Sequence, residues 1–225
     1  MRYRVEVAGV DSLLLRFDLP AEQAAISVAA CADQLKSRLG SSVIDLIPAY
    51  NSLLITYDLM QLDDPTIRQQ IAAILDQYIP DTDQETGRRI KIPVCYEPEF
   101  APDLAVISSQ LSLPVADIIE LHCTAEYEVQ AVGFAPGFAY MGTLSERLLL
   151  PRKATPRVEV PAGSVAIAER QTAVYPQASP GGWWLIGRSP VTLFDAQSEP
   201  PGLLQVGDRV SFEPISAAEL KRLQS

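Results

Sequence analysis

The sequence predicts two folded parts. The first is an α+β domain in which two helices cover a small sheet, and the second is a mainly-β domain of short strands forming a sandwich or closed barrel. Three observations predict this. Residues 1–132 hold three of the 12 glycines and residues 133–207 hold the other nine, so the second part must turn often. Two helical segments fall in the first part, whereas beyond residue 126 strand-sized segments follow one another between Gly/Pro turns. Between the parts, DTDQETGRR is polar and has no apolar period, which sets the domains at 1–86 and 87–225.

In the first domain, Tyr3–Val7 and Leu13–Phe17 alternate as strands do. Pro20 suits the first helical position of the alanine-rich segment that follows, with Ile26, Ala30, Asp33 and Leu35 as an imperfect stripe and Gly40 as its stop. Val43–Pro48 and Leu53–Tyr57 read as strands around the turn AYNS. A second helix takes Asp64 as N-cap and Pro65 as its first residue, and it places Ile67, Ile71, Ile74, Leu75 and Tyr78 on one face. The order is ββαββα.

The second domain opens with a strand over 89–96. Two short helices follow, one from Pro102 and one introduced by Ser112 and Pro114, and then a strand over Glu126–Gly133. Further strands are expected at Arg157–Val160, Ser164–Ile167, Thr172–Tyr175, Trp184–Ile186, Val191–Phe194 and Arg209–Glu213, with SAAELKRL as a closing helix. Trp183 and Trp184 must point to opposite faces of a strand, one into the core and one to a pocket wall or interface.

Charge and cysteine usage narrow the function. The 225 residues carry 28 acids against 18 bases, a net −10, which excludes an ordinary nucleic-acid binder. No apolar run reaches a membrane span, and the N-terminal segment lacks the pattern of a signal peptide. Three cysteines far apart in sequence fit neither a disulfide framework nor a zinc knuckle, so a cytoplasmic protein with no resident metal is expected. The one histidine, His122, has two readings: a capping or core residue, or a general acid/base.

Within this acidic chain, Arg147–Arg188 is basic. Arg147, Arg152, Lys153, Arg157, Arg170 and Arg188 face only Glu159 and Glu169. Guanidinium forks bind carboxylate or phosphate at two points, so this segment reads either as an anion groove or as a solvated surface with a few ion pairs. GFAPGFAYMG at 133–142 is either a rigid corner between strands or part of a site. PAGSVAI can offer backbone amides to an anion.

GFAPGFAYMG together with LPRKATPRVEVPAGSVAIAERQTAVYPQASPGGWWLIGRSPVTLFD resembles the family that unites the 5-oxoprolinase B subunits, KipI and allophanate hydrolase subunit 1. The ordered blocks run over about 88–213, with Met141 where a leucine is more usual. The resemblance implies a cyclophilin-like β-barrel as the second domain. It also implies ATP-driven opening of 5-oxo-L-proline to L-glutamate, in a heteromeric complex with the A and C subunits of 5-oxoprolinase, the latter KipA-like. ATP is used by the complex and the substrate is a small carboxylate. Carried onto this chain, the motif names His122 and Tyr175 as catalytic and Arg152, Arg157, Gln171 and Arg188 as substrate-binding. Gly133, Pro136, Gly137, Gly163, Gly181 and Gly182 are its structural glycines and proline. The same likeness allows a KipI-like inhibitor of a sporulation histidine kinase, or one component of an allophanate or urea carboxyl-transfer enzyme.

Overall fold

The computed structural model describes residues 1–77 and 87–224, which form two compact units, Met1–Gly87 and Arg88–Ser225. Tyr78 and most of the polar segment before Arg88 lie outside the described residues.

The first unit holds β1 (Tyr3–Val7), β2 (Ser12–Phe17), α1 (Ala21–Leu39), β3 (Val43–Ala49), β4 (Ser52–Tyr57) and α2 (Asp64–Asp76). Its antiparallel strand order is β1-β2-β4-β3. Alternation sends Leu13, Leu15 and Phe17 of β2 and Leu53, Ile55 and Tyr57 of β4 to one face, where both helices cover them. The buried side of α1 is Ala24, Ala25, Val28, Cys31, Ala32, Leu35 and Leu39, a regular stripe at helical spacing. The expected stripe is rotated from this one: Ile26 is only half-buried and Asp33 faces solvent, because alanines and Cys31 serve as core residues here. Pro20 is the N-cap rather than the first helical residue, and Asp63, not Asp64, caps α2 by accepting from the Thr66 amide at 3.0 Å.

The second unit is a closed seven-stranded barrel, the mainly-β cyclophilin-like domain of the fold class. It comprises β5 (Arg89–Cys95), α3 (Leu104–Leu111), α4 (Val115–Thr124), β6 (Tyr127–Val132), β7 (Ala139–Gly142), β8 (Arg157–Val160), β9 (Ser164–Ala168), β10 (Gln171–Val174), β11 (Ser179–Gly181), β12 (Trp184–Arg188), β13 (Arg209–Ile215) and α5 (Ala217–Leu223). The barrel order is β6-β13-β5-β12-β9-β10-β7, and β7 pairs back onto β6 to close it. Strands β13 and β5 pair in parallel, and the other barrel pairings are antiparallel. Strands β8 and β11 form a separate two-stranded ribbon. Inward residues such as Val94, Val129, Met141, Ile167, Val174, Ile186 and Phe212 fill the barrel.

Two expectations are corrected here. Val191–Phe194 is not a strand. It is irregular chain in which Leu193 packs into the core and Phe194 forms one isolated bridge to Gly202, in a stretch interrupted by Pro190, Pro200 and Pro201. GFAPGFAYMG is a corner only in its first half. Gly133 N–H donates to Phe138 O at 3.0 Å, and Ala139–Gly142 then runs on as β7.

Candidate functional site

Outward residues of β9, β10 and β12, with Phe138 just before β7 and Tyr175 just after β10, build a second apolar cluster on the barrel wall: Phe138, Ala166, Ala168, Ala173, Tyr175 and Leu185, joined by Trp183 and by Val160 of β8. The three alanines are short enough for aromatic rings to lie over the sheet. Phe138 is the hub. It meets Phe134, Tyr140, Tyr175 and Trp183 edge-on, with centroids 4.9–5.9 Å apart. Two glycines make the arrangement possible. Gly137, at φ +81°, sits where a side chain would come within 2.8 Å of Leu193 O, and a side chain at Gly181 would overlap the Tyr175 ring.

A cavity of about 200 Å³ opens among these rings. Its walls are Phe134, Phe138, Tyr140, Tyr175 and Trp183, its rim is Pro156, Pro180, Gly181 and Gly182, and its cations are Arg152 and Lys153. A larger hollow in the first unit, about 800 Å³, is more open and includes Arg2, Arg4 and Arg16 but none of the motif residues. The aromatic cavity is the better candidate, because an apolar pocket with a few polar groups at its edge can desolvate and orient a small ligand.

Behind the cavity lies a buried ion cluster. Asp103 is 3% exposed and accepts from Arg157 Nη2 at 2.7 Å, Leu185 N at 2.7 Å and Lys153 Nζ at 3.0 Å. Burial alone pushes its carboxyl up, but these donors together outweigh that and hold it below the usual carboxylate range. Lys153 Nζ also lies 4.2 Å from the Trp184 ring centre. Trp184 is the core tryptophan, donating Nε1–H to Pro151 O at 2.7 Å, and Trp183 is the cavity wall.

The predicted site residues separate into groups. Arg152, Tyr175, Gly181 and Gly182 come together at the cavity. Tyr175 is buried, and its phenol is pushed upward, first by desolvation and then by Tyr140, with Arg152 and Arg157 opposing; it stays protonated near neutrality and can donate. Gly133, Pro136 and Gly137 form the turn that carries Phe134 and Phe138. Arg157 stands behind the cavity, committed to Asp103.

The others lie elsewhere. Gln171 is on the same outer face as Ala173 and Tyr175 but does not line the cavity. Arg188 is opposite Ser164, with its stem against Gly163, and it also lies outside the lining. Desolvation lowers the Arg188 pKa, and its Nε is buried without a hydrogen-bond partner among the described residues. The expectation that Arg152, Arg157 and Arg188 share one cavity is therefore corrected: the strand directions separate Arg188, and a buried carboxylate takes Arg157.

For His122 the structure fits the core reading: it is fully buried inside the barrel. Its Nδ1 pairs with Tyr96 Oη at 2.8 Å, its Nε2 pairs with Thr172 Oγ1 at 2.9 Å, and the ring stacks on Phe212 at 4.4 Å. Desolvation pushes its pKa down to about 3, so it is neutral at any ordinary pH. Sequence reading missed Asp103 and passed over Lys153 as one charge among six. An aspartate beside Pro102, just ahead of an apolar helix, looks like a helix cap; only the fold reveals it as a buried counter-ion.

Residues 3–204 match the family model described as carboxyltransferase domain, subdomain C and D. The B subunit of 5-oxoprolinase from Bacillus subtilis is 39% identical over 96% of this chain and 94% of its own length. This chain belongs to that family. The Escherichia coli O157:H7 relative of the same name is 50% identical over 57% of this chain and 59% of its own.

Among solved structures, TTHA0988 superposes with a TM-score of 0.80 at 36% identity over 92% of this chain, which spans only 40% of that longer one. Kluyveromyces lactis urea carboxylase has a TM-score of 0.72 at 17% identity, over 98% of this chain and 22% of its own, and so shares the fold. The fold thus occurs both in chains of about this length and as a segment of longer proteins. Among the described residues no group of His, Cys, Asp or Glu is arranged to hold a metal ion, and no single helix is long and apolar enough to cross a membrane.

Proposed function

We propose that this chain is the B subunit of a cytoplasmic, ATP-dependent 5-oxoprolinase, and that its aromatic cavity receives 5-oxo-L-proline for opening to L-glutamate in a complex with the A and C subunits. The observation that carries the reading is a cavity of about 200 Å³ walled by five aromatic rings and edged by Arg152 and Lys153. A five-membered lactam presents flat faces to such walls, and its carboxylate requires a cation at the rim. Tyr175, which keeps its proton, donates a hydrogen bond to the lactam as its C–N bond breaks. ATP is assigned to the assembled enzyme, because this chain carries no recognised nucleotide-binding motif. The match to TTHA0988, where the likeness covers 40% of one longer chain, supports a further module working beside this one. Three free cysteines agree with a reducing compartment.

A second reading has its own support. The family model and the urea carboxylase fold favour a component of a carboxyl-transfer enzyme, which would depend on biotin elsewhere in its complex. Reconstitution separates the two. The chain, mixed with its A and C partners, 5-oxoproline and ATP, should release glutamate, and omitting the chain should abolish release. Equal glutamate without it would remove the assignment, and biotin-dependent carboxylation of urea would establish the alternative.

A further inference from the structure

We propose that Asp103 and Lys153 are positioning residues of the aromatic cavity: neither side chain meets the ligand, and the ion pair between them fastens a strap, residues 151–156, as one wall of the site. The inference rests on the aromatic cavity being the substrate site and adds what holds that site in shape. The strap contributes Arg152, Lys153 and Pro156 to the lining. It has no regular structure, and Pro151 and Pro156 bring it no amide donor. Among the described residues its one backbone–backbone hydrogen bond runs from Lys153 N–H to Gly182 O, at 2.8 Å. At Gly182 a side chain would meet Lys153 O and Pro156 at 3.7 Å, so strap and turn lie against each other along the rim. The facing rings, Phe138, Tyr140 and Tyr175, pack edge-on over the sheet. A segment with so few backbone bonds belongs to the least stable part of a structure unless side chains hold it.

Asp103 supplies that hold. It is pinned to β12 from both sides: its N–H donates to Leu185 O at 3.1 Å, and its Oδ2 accepts from Leu185 N–H at 2.7 Å. Its Oδ1 accepts from Lys153 Nζ at 3.0 Å and Arg157 Nη2 at 2.7 Å. The two cations bracket the strap, Lys153 within it and Arg157 just past its end, where β8 meets Gly181 of β11. Trp184 repeats the link from β12, with Nε1–H donating to Pro151 O at 2.7 Å and its ring 4.2 Å from the Lys153 ammonium. The Lys153 charge is thus spent on the barrel, and its effect on the cavity passes through its own backbone at Gly182.

Lys153→Met removes the latch and leaves Asp103 paired with Arg157. In the full chain, the residue-153 amide is expected to exchange with solvent at least ~10-fold faster by NMR, with β9 amides unchanged. Trp183, a cavity wall, becomes more open to acrylamide quenching. In the enzyme reconstituted with its A and C partners, the KM for 5-oxoproline rises at least ~10-fold while kcat stays within about two-fold, the mark of lost uniform binding. Lys153→Arg, which keeps a cation for Asp103, restores both exchange and KM. An unchanged residue-153 amide overturns the latch. So does a joint fall in kcat and melting temperature that Lys153→Arg does not rescue, which is a purely structural role. Faster exchange with KM unaltered overturns instead the reading of the cavity as the substrate site.

Discussion

His122 shows how a buried polar residue shapes the pH response of this protein. Its neighbours, the Tyr96 and Thr172 hydroxyls and the Tyr127 and Phe212 rings, are uncharged, so a protonated imidazole would have no counter-ion. Its pKa falls from about 6.5 unfolded to about 3 folded, so the neutral ring's contribution is complete above pH 6.5 and is lost as pH drops toward 3. The expected slope from this group is at most ~1.4 kcal/mol per pH unit. Urea unfolding of wild type and His122→Gln at pH 7 and pH 4.5 should show a smaller acid loss in the variant; identical losses would assign acid sensitivity to other groups. At Asp103, replacement by Ala strands the Arg157 guanidinium beside a buried void. A loss of about 3–5 kcal/mol is expected in the same assay.

The elements that carry the site were partly legible. Gly137 and Gly181 stood out because only glycine allows backbone and ring to approach so closely. An alanine at Gly181 must displace Tyr175, so Gly181→Ala is expected to alter ligand-induced tryptophan fluorescence far more than the melting temperature. Ala139–Gly142 was hidden within its motif, since a four-residue strand beginning right after a turn gives too few alternations to register. Arg188 was grouped with Arg152 by proximity in sequence; bulges and hairpin reversals, invisible in the linear order, decide which face a strand residue takes. In the first unit, the Asp63 cap was misplaced by one residue because Asp63 and Asp64 are equivalent in type. Asp63→Ala should cost about 1 kcal/mol, while Asp64→Ala should cost only the weaker Arg68 pair; thermal melts compare them.

At the scale of the whole molecule, the glycine distribution and the polar segment DTDQETGRR read as a division into two parts, and the described residues cluster into the units Met1–Gly87 and Arg88–Ser225. Residues 88–225 are expected to fold alone, with one cooperative melt by far-UV circular dichroism; a broad, non-cooperative transition would mean that this unit needs the rest of the chain. The parallel pairing of β5 with β13 joins Arg89 to Arg209 and Cys95 to Ile215, the first and last strands of the barrel. During synthesis the amino-terminal seam strand therefore waits, with its ladder groups unpaired, until the carboxyl-terminal stretch leaves the ribosome. Closure of the barrel is a late event, and a nascent chain stalled short of that stretch would present an open sheet edge to chaperones.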